Sequence, residues 1–117
     1  MDLIIGGMAS GKKEYVMREY GFDEAQIADG VLDSRPVLYN LQDIIRKNPD
    51  EGLSLLPELC GKKVVICNEV GSGIIPVLRD EVIWREMTGR ICNELAKKAD
   101  RVIRITCGIP AAIKGNL

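Results

Sequence analysis

Seven residues near the start of the chain, Gly6-Gly7-Met8-Ala9-Ser10-Gly11-Lys12, follow the GxxxxGK spacing of a phosphate-binding loop. Glycines let backbone N–H groups turn around phosphate oxygens, and the lysine supplies a cation for the β- and γ-phosphates. The motif's next position ordinarily holds Ser or Thr, whose hydroxyl meets Mg²⁺, but here it is Lys13, which cannot ligate a metal. Its ammonium either offsets phosphate charge directly or points to solvent. The competing readings are a Gly-rich strand-to-helix turn without a ligand and, less well matched, a Rossmann fingerprint, because Gly6, Gly7 and Gly11 do not form GxGxxG. Phosphoryl transfer also calls for an acid at the end of an apolar strand, to orient Mg²⁺ or the attacking group. Glu69, after Val64-Val65-Ile66-Cys67-Asn68, is the only candidate found. The expected catalytic pair is therefore Lys12 and Glu69, with Glu69 also the candidate metal ligand.

These residues need elements to hold them. Leu3-Ile4-Ile5 reads as a short buried strand opening into the loop, and Lys12 to Tyr20 as the helix after it, ended by Gly21. Helix N-terminal charge beneath the loop favours an anion. Gln26-Ile27-Ala28 is a candidate second strand. From Val37 to Lys47 the apolar residues Val37, Leu38, Leu41, Ile44 and Ile45 follow one helix face. Either Ser34 caps a helix with Pro36 in its first turn, or Val37-Leu38-Tyr39 is extended and Asn40 caps a shorter helix. Asn48-Pro49-Asp50-Glu51-Gly52 reads as a loop, and Leu53 to Leu59 as a further helical stretch.

Val64-Val65-Ile66-Cys67 is β-branched and continuous, as in a strand buried on both faces of a parallel sheet. Arg79 to Ala99 is a long helix whose Trp84, Met87, Ile91 and Leu95 form one stripe, with acids at its start and bases at its end. Trp84 and Met87 are expected in the core or a subunit contact, and Arg79, Arg85 and Arg90 in solvent. Arg101 to Cys107 is the last strand, closed by a turn at Gly108-Ile109-Pro110. Alternating strands and helices predict an α/β fold with helices on both sides of a mostly parallel sheet.

At 117 residues the chain is one domain, since two would hold roughly 60 residues each. Sixteen bases against seventeen acids leave a net charge of −1, so no global field draws it to nucleic acid or an anionic membrane. The absence of histidine excludes histidine acid–base and nucleophilic catalysis and every histidine metal site. Four cysteines without a CxxC pair read as free thiols of a reducing compartment. No secretory signal or membrane span is visible, and a soluble cytoplasmic protein is expected.

Asn68-Glu69-Val70-Gly71-Ser72-Gly73-Ile74-Ile75-Pro76 places a glycine loop beyond a buried strand end, where α/β proteins bind ligands. This string resembles the NEVGxGIVP signature of the adenosylcobinamide kinase/adenosylcobinamide-phosphate guanylyltransferase family. The loop Gly6–Lys12 is similar to that family's GGxxSGKS, Arg35-Pro36 with Tyr39 to its RPxxW segment, and Arg79 through Gly108-Ile109-Pro110 and Lys114-Gly115 to its final helix, strand and tail. The likeness covers roughly two thirds of the chain. It implies a P-loop NTPase-like (RecA-like) fold, here truncated, and often a homotrimer. It also implies ATP or GTP with Mg²⁺ as cofactors and a corrinoid alcohol as phosphoryl acceptor. Asn68, Gly71 and Gly73 are the expected substrate contacts.

Three departures stand out. Without histidine, the guanylyl transfer that this family runs through a histidine intermediate has no nucleophile. Lys13 replaces the metal-binding serine. The family's DCLT strand has no counterpart, because Leu59-Cys60-Gly61 leads straight to the strand ending in Asn68-Glu69. The leading expectation is a phosphoryl transferase to a corrinoid alcohol. The rival is a non-catalytic nucleotide- or corrinoid-binding accessory or regulatory protein, and the third option is a relic that binds nothing tightly.

Overall fold

The computed structural model describes residues 1–70 and 78–117. Its centre is β1 (Asp2–Gly6), which pairs in parallel with β4 (Val64–Asn68) on one side and β5 (Arg101–Thr106) on the other. A strand with two parallel neighbours and helices over both faces has no wet side, hence its near-continuous apolar run. The sheet runs β2-β3-β4-β1-β5-β6, where β2 is Ile27–Asp29, β3 Val37–Tyr39 and β6 Ile109–Lys114. Among the described residues only β6 runs antiparallel.

Alternation along the strands divides the core. Ile4, Val64, Ile66, Ile103 and Ile105 pack on the side of α1 (Lys12–Tyr20), with Tyr15 and Val16. Leu3, Val65, Cys67 and Val102 pack on the other side, against α2 (Leu41–Lys47), α3 (Leu56–Cys60) and α4 (Arg79–Lys98), whose Ile91 and Leu95 are fully buried. Trp84 and Met87 lean on that core partly buried. The chain thus has the expected mostly parallel α/β, P-loop NTPase-like architecture. No described helix is long and apolar enough to cross a membrane.

Several expectations change in detail. Val37–Tyr39 is extended and the helix starts at Leu41, so of the two readings the one with Asn40 at the boundary holds. Asn40 itself takes φ 63° and forms no side-chain cap. The segment read as a loop at residues 48–52 enters a 3₁₀ stretch, Pro49–Leu55, because proline suits a first helical turn. Gly52 is buried there beneath Ile91 and Met87. The second strand begins one residue later than expected, after a 3₁₀ turn at Glu24–Gln26.

Gly108-Ile109-Pro110 does not end the sheet. Cys107 and Gly108, at φ 52° and 76°, form a tight hairpin turn, and Ile109–Lys114 returns along β5 as an edge strand. Proline at 110 is tolerated because an edge strand leaves one row of N–H groups unpaired. A register shift at Val102/Ile103 breaks the regularity of this pairing. The four cysteines are free thiols, as expected.

Candidate functional site

Gly6 is the last residue of β1, and a Cβ there would sit 2.5 Å from the Ile105 carbonyl oxygen and 2.7 Å from Ser10 Oγ. Only glycine lets the loop leave the sheet so close to β5. Ala9 at φ 55° and Gly11 at φ 93° place left-handed residues within the following turn. Among the described residues, the N–H groups of Met8, Ala9, Gly11, Lys12 and Lys13 find no acceptor. Gly11 opens α1 without a side-chain cap, so the first turn's donors stay available for an anion. Tertiary contact shapes this loop as well: the Gly108 N–H of the β5–β6 turn donates to the Ser10 carbonyl at 2.8 Å.

Lys12 is only 4% exposed, and its Nζ donates to the Gly7 carbonyl at 2.6 Å and lies 3.5 Å from Ser10 Oγ. The ammonium is therefore held across the loop. Burial pushes its pKa below the usual lysine value, partly countered by Cys67, Glu14 and Glu69 nearby. An incoming anion can draw this cation off a neutral carbonyl, a charge-assisted exchange that favours binding.

The Lys13 side chain is placed elsewhere. Its Nζ pairs with Glu24 Oε2 at 2.8 Å and lies 5.6 Å from the centre of the Tyr39 ring. The Glu24 carboxylate raises its pKa. Neither proposed fate, phosphate charge or open solvent, describes it: what Lys13 can offer a nucleotide is its backbone N–H. Lys13→Ala is accordingly expected to leave nucleotide affinity within about threefold and to cost at most ~1 kcal/mol of stability, read by calorimetric titration and denaturant unfolding.

Glu69 does reach the loop, its N–H donating to the Gly6 carbonyl at 2.8 Å. Its carboxylate, however, is gripped bidentately by Arg104, with Nε to Oε1 at 2.6 Å and Nη2 to Oε2 at 3.0 Å. Each oxygen accepts one guanidinium N–H and keeps a second lone pair, but the pairing offsets the negative charge that a metal ion would need, so here Glu69 is half of an ion pair. Among the described residues no group of three Cys, Asp or Glu side chains could hold a metal. With Lys13 at the serine position and Glu69 committed, these residues do not fit a protein-held Mg²⁺.

Arg104 is a site residue the sequence reading passed over. Its signal was an arginine interrupting the run Val102-Ile103-Arg104-Ile105-Thr106, which puts a cation on the sheet face opposite Ile103 and Ile105. With Glu69, Thr106 and Cys107 it lines a hollow of about 380 Å³ beside the loop. Nor is Glu69 the only acid at a strand end: β2 finishes at Asp29, whose Oδ1 accepts from Asn40 Nδ2 at 2.7 Å.

Asn68 is positioned by a buried glutamine. Its backbone N–H donates to Gln42 Oε1 at 3.0 Å, Gln42 Nε2 donates to Asn40 Oδ1 at 3.0 Å, and Trp84 Nε1 donates to the Gln42 carbonyl at 2.8 Å. One side chain ties α2 to the end of β4. Gln42→Leu strands the Asn68 N–H and is expected to cost about 1–3 kcal/mol in denaturant unfolding. Gly71 and Gly73, with the string from 71 to 76, lie outside the described residues.

The profile of the family described as "Cobinamide kinase / cobinamide phosphate guanyltransferase" matches residues 26–113. The match begins beyond the phosphate loop, which therefore stands on its own motif and geometry. Two curated relatives carry the description "Bifunctional adenosylcobalamin biosynthesis protein CobU". The one from Salmonella typhimurium LT2 is 36% identical over 69 residues, 56% of this chain and 38% of its own length. The one from Escherichia coli K12 is 40% identical over 53 residues, 45% of this chain and 29% of its own length. The matched stretches thus span 38% and 29% of these relatives.

Proposed function

The chain belongs to the cobinamide kinase / cobinamide phosphate guanyltransferase family, and from that premise we propose that it binds ATP or GTP at Gly6–Lys12 and passes the terminal phosphoryl group to a corrinoid alcohol in adenosylcobalamin biosynthesis. The observation that carries this reading is the loop: free N–H groups around a buried lysine, at the carboxyl end of the central parallel strand.

In the proposed step the acceptor hydroxyl oxygen bonds to the γ-phosphorus while the bond to the bridging oxygen breaks. The nucleoside diphosphate leaves with the electron pair. Such a transfer depends on position and charge more than on covalent help from the protein. Loop N–H groups hold the phosphates and Lys12 leaves Gly7 to meet the charge gathering on the β–γ bridge, while the Glu69–Arg104 pair, its two charges offset, borders the hollow. The hydroxyl proton passes to solvent. Guanylyl transfer through histidine has no residue here to run on.

The assay is phosphate transfer from ATP or GTP to cobinamide, with wild-type protein and Lys12→Ala in parallel. Turnover in the wild type and none in the variant is the expected result. A second reading, a non-catalytic nucleotide- or corrinoid-binding accessory protein, is favoured by one observation: the Glu69 carboxylate is already neutralised by Arg104. It predicts saturable nucleotide binding with no transfer, so the same assay separates the two. Failure to bind nucleotide at all would leave only the relic.

A further inference from the structure

Two of the four cysteines meet across the seam between the sheet and its longest helix. Cys67, in β4, lies opposite Ile5 in the parallel register with β1, and both pack on the side of α4. Cys67 is fully buried in that core, and Cys92 of α4 packs against the same cluster while only partly buried. Cys92 shares with Ile5 the lining of a cavity of about 300 Å³ that opens between α4 and the carboxyl ends of β1, β4 and β5. A helix shields its own backbone, so the exposure that Cys92 keeps belongs to its side chain. One thiol stands at the cavity wall and the other directly behind it.

The two sulfurs are close enough to hydrogen-bond. Cys67 has a single S–H proton and two acceptors for it, the Asn68 carbonyl oxygen at 3.4 Å and the Cys92 sulfur. Donation to Cys92 favours the thiolate there and holds that thiol below its usual pKa, while the same bond and deep burial push Cys67 up. A nucleophilic sulfur beside an access route, backed by a protonated partner, is the arrangement of an attacking and a resolving cysteine. Neither thiol has a part in phosphoryl transfer as described above. Cys107, exposed in the β5–β6 turn, provides an internal comparison.

We propose that Cys92 and Cys67 form a reversible thiol–disulfide site that reacts with a hydroperoxide. The Cys92 thiolate attacks the hydroxyl-bearing oxygen of the peroxide. An S–O bond forms as the O–O bond breaks, the sulfur gives up two electrons, and the second oxygen leaves as hydroxide or alkoxide and takes a proton from solvent. The Cys67 sulfur then attacks the Cys92 sulfenic acid. The S–S bond forms as the S–O bond breaks, and the oxygen departs as water with the Cys67 proton. The disulfide fastens α4 to the carboxyl end of β4, immediately before Asn68 and Glu69. A dithiol reverses it by exchange. The site rests on its own residues and does not depend on the nucleotide reading.

The test treats the intact, reduced chain with hydrogen peroxide and maps the thiols by mass spectrometry, with dimedone to trap sulfenic acid. The expected product lacks two hydrogens and joins the tryptic peptides 64–79 and 91–97, and dithiothreitol restores both. Before the bond closes, dimedone is expected to label Cys92 at least about tenfold faster than Cys67. Cys67→Ala should leave Cys92 as the dimedone adduct, and Cys92→Ala should leave Cys67 unlabelled, so the attacking and resolving roles are read separately. Unfolding in guanidinium before oxidation should erase the preference, because Cys60 and Cys107 then compete on equal terms. The proposal is overturned if peroxide oxidises Cys107 while peptides 64–79 and 91–97 stay unlinked, if Cys92→Ala leaves Cys67 as readily labelled as Cys92 was, or if the unfolded chain forms the same link with the same preference.

Discussion

Lys12→Ala is expected to weaken ATP and GTP binding by roughly 10- to 150-fold, ~1.5–3 kcal/mol, the range for a hydrogen bond to a charged group. The ammonium rests on the Gly7 carbonyl at 2.6 Å, so the wild-type lysine is already held inside the loop. Little side-chain ordering remains to oppose binding. Alanine keeps the free N–H groups of the loop and the helix terminus, so binding should weaken and not vanish. Calorimetric titration in parallel with Lys13→Ala provides the contrast, since that neighbour's ammonium is occupied by Glu24. Equal losses in the two variants would mean that general charge, not the loop, attracts the nucleotide. A loss under about threefold for Lys12→Ala would remove the loop from the function altogether.

Gly6→Ala should lower both stability and nucleotide affinity, by a mechanism with no charge in it. The added methyl would meet the Ile105 carbonyl oxygen at 2.5 Å and Ser10 Oγ at 2.7 Å. Ser10 can rotate, but the Ile105 oxygen belongs to a strand paired on both sides, with β1 and β6, and cannot retreat without moving β5. Such overpacking costs about 1–3 kcal/mol, or about 5–15 °C in thermal midpoint for a domain of this size. Since Gly108, in the turn after β5, donates to Ser10, a shifted β5 also drags the loop. Gly7→Ala is the matched control: a Cβ at Gly7 meets nothing within 4 Å. If the two variants melt together, the close approach of β1 and β5 is not what the glycine provides.

How far the chain could be read in advance depended on how local each cause was. Lys12–Tyr20 was legible at both ends because a glycine stands at each boundary, and β4 because four consecutive apolar residues suit only a strand hidden on both faces. β6 was missed since Pro110 and two alanines carry weak strand propensity, and its pairing is dictated by a turn whose left-handed Cys107 gives no compositional warning. The family resemblance rested on a string of which residues 71–76 fall outside the described residues, while the profile match covers residues 26–113.

The candidate site divides the same way. Residue order alone determined that a glycine-rich turn with a lysine follows the first strand and leads into a helix, because spacing within seven residues is a local property. It also determined that no histidine could take part. Only the tertiary structure decided the partners: Arg104 on Glu69, Glu24 on Lys13 and Gln42 under Asn68. Parallel strands β4, β1 and β5 bring together segments up to a hundred residues apart in the chain. Coulombic and hydrogen-bonding energies fall off over a few ångströms of space, whatever the separation along the sequence.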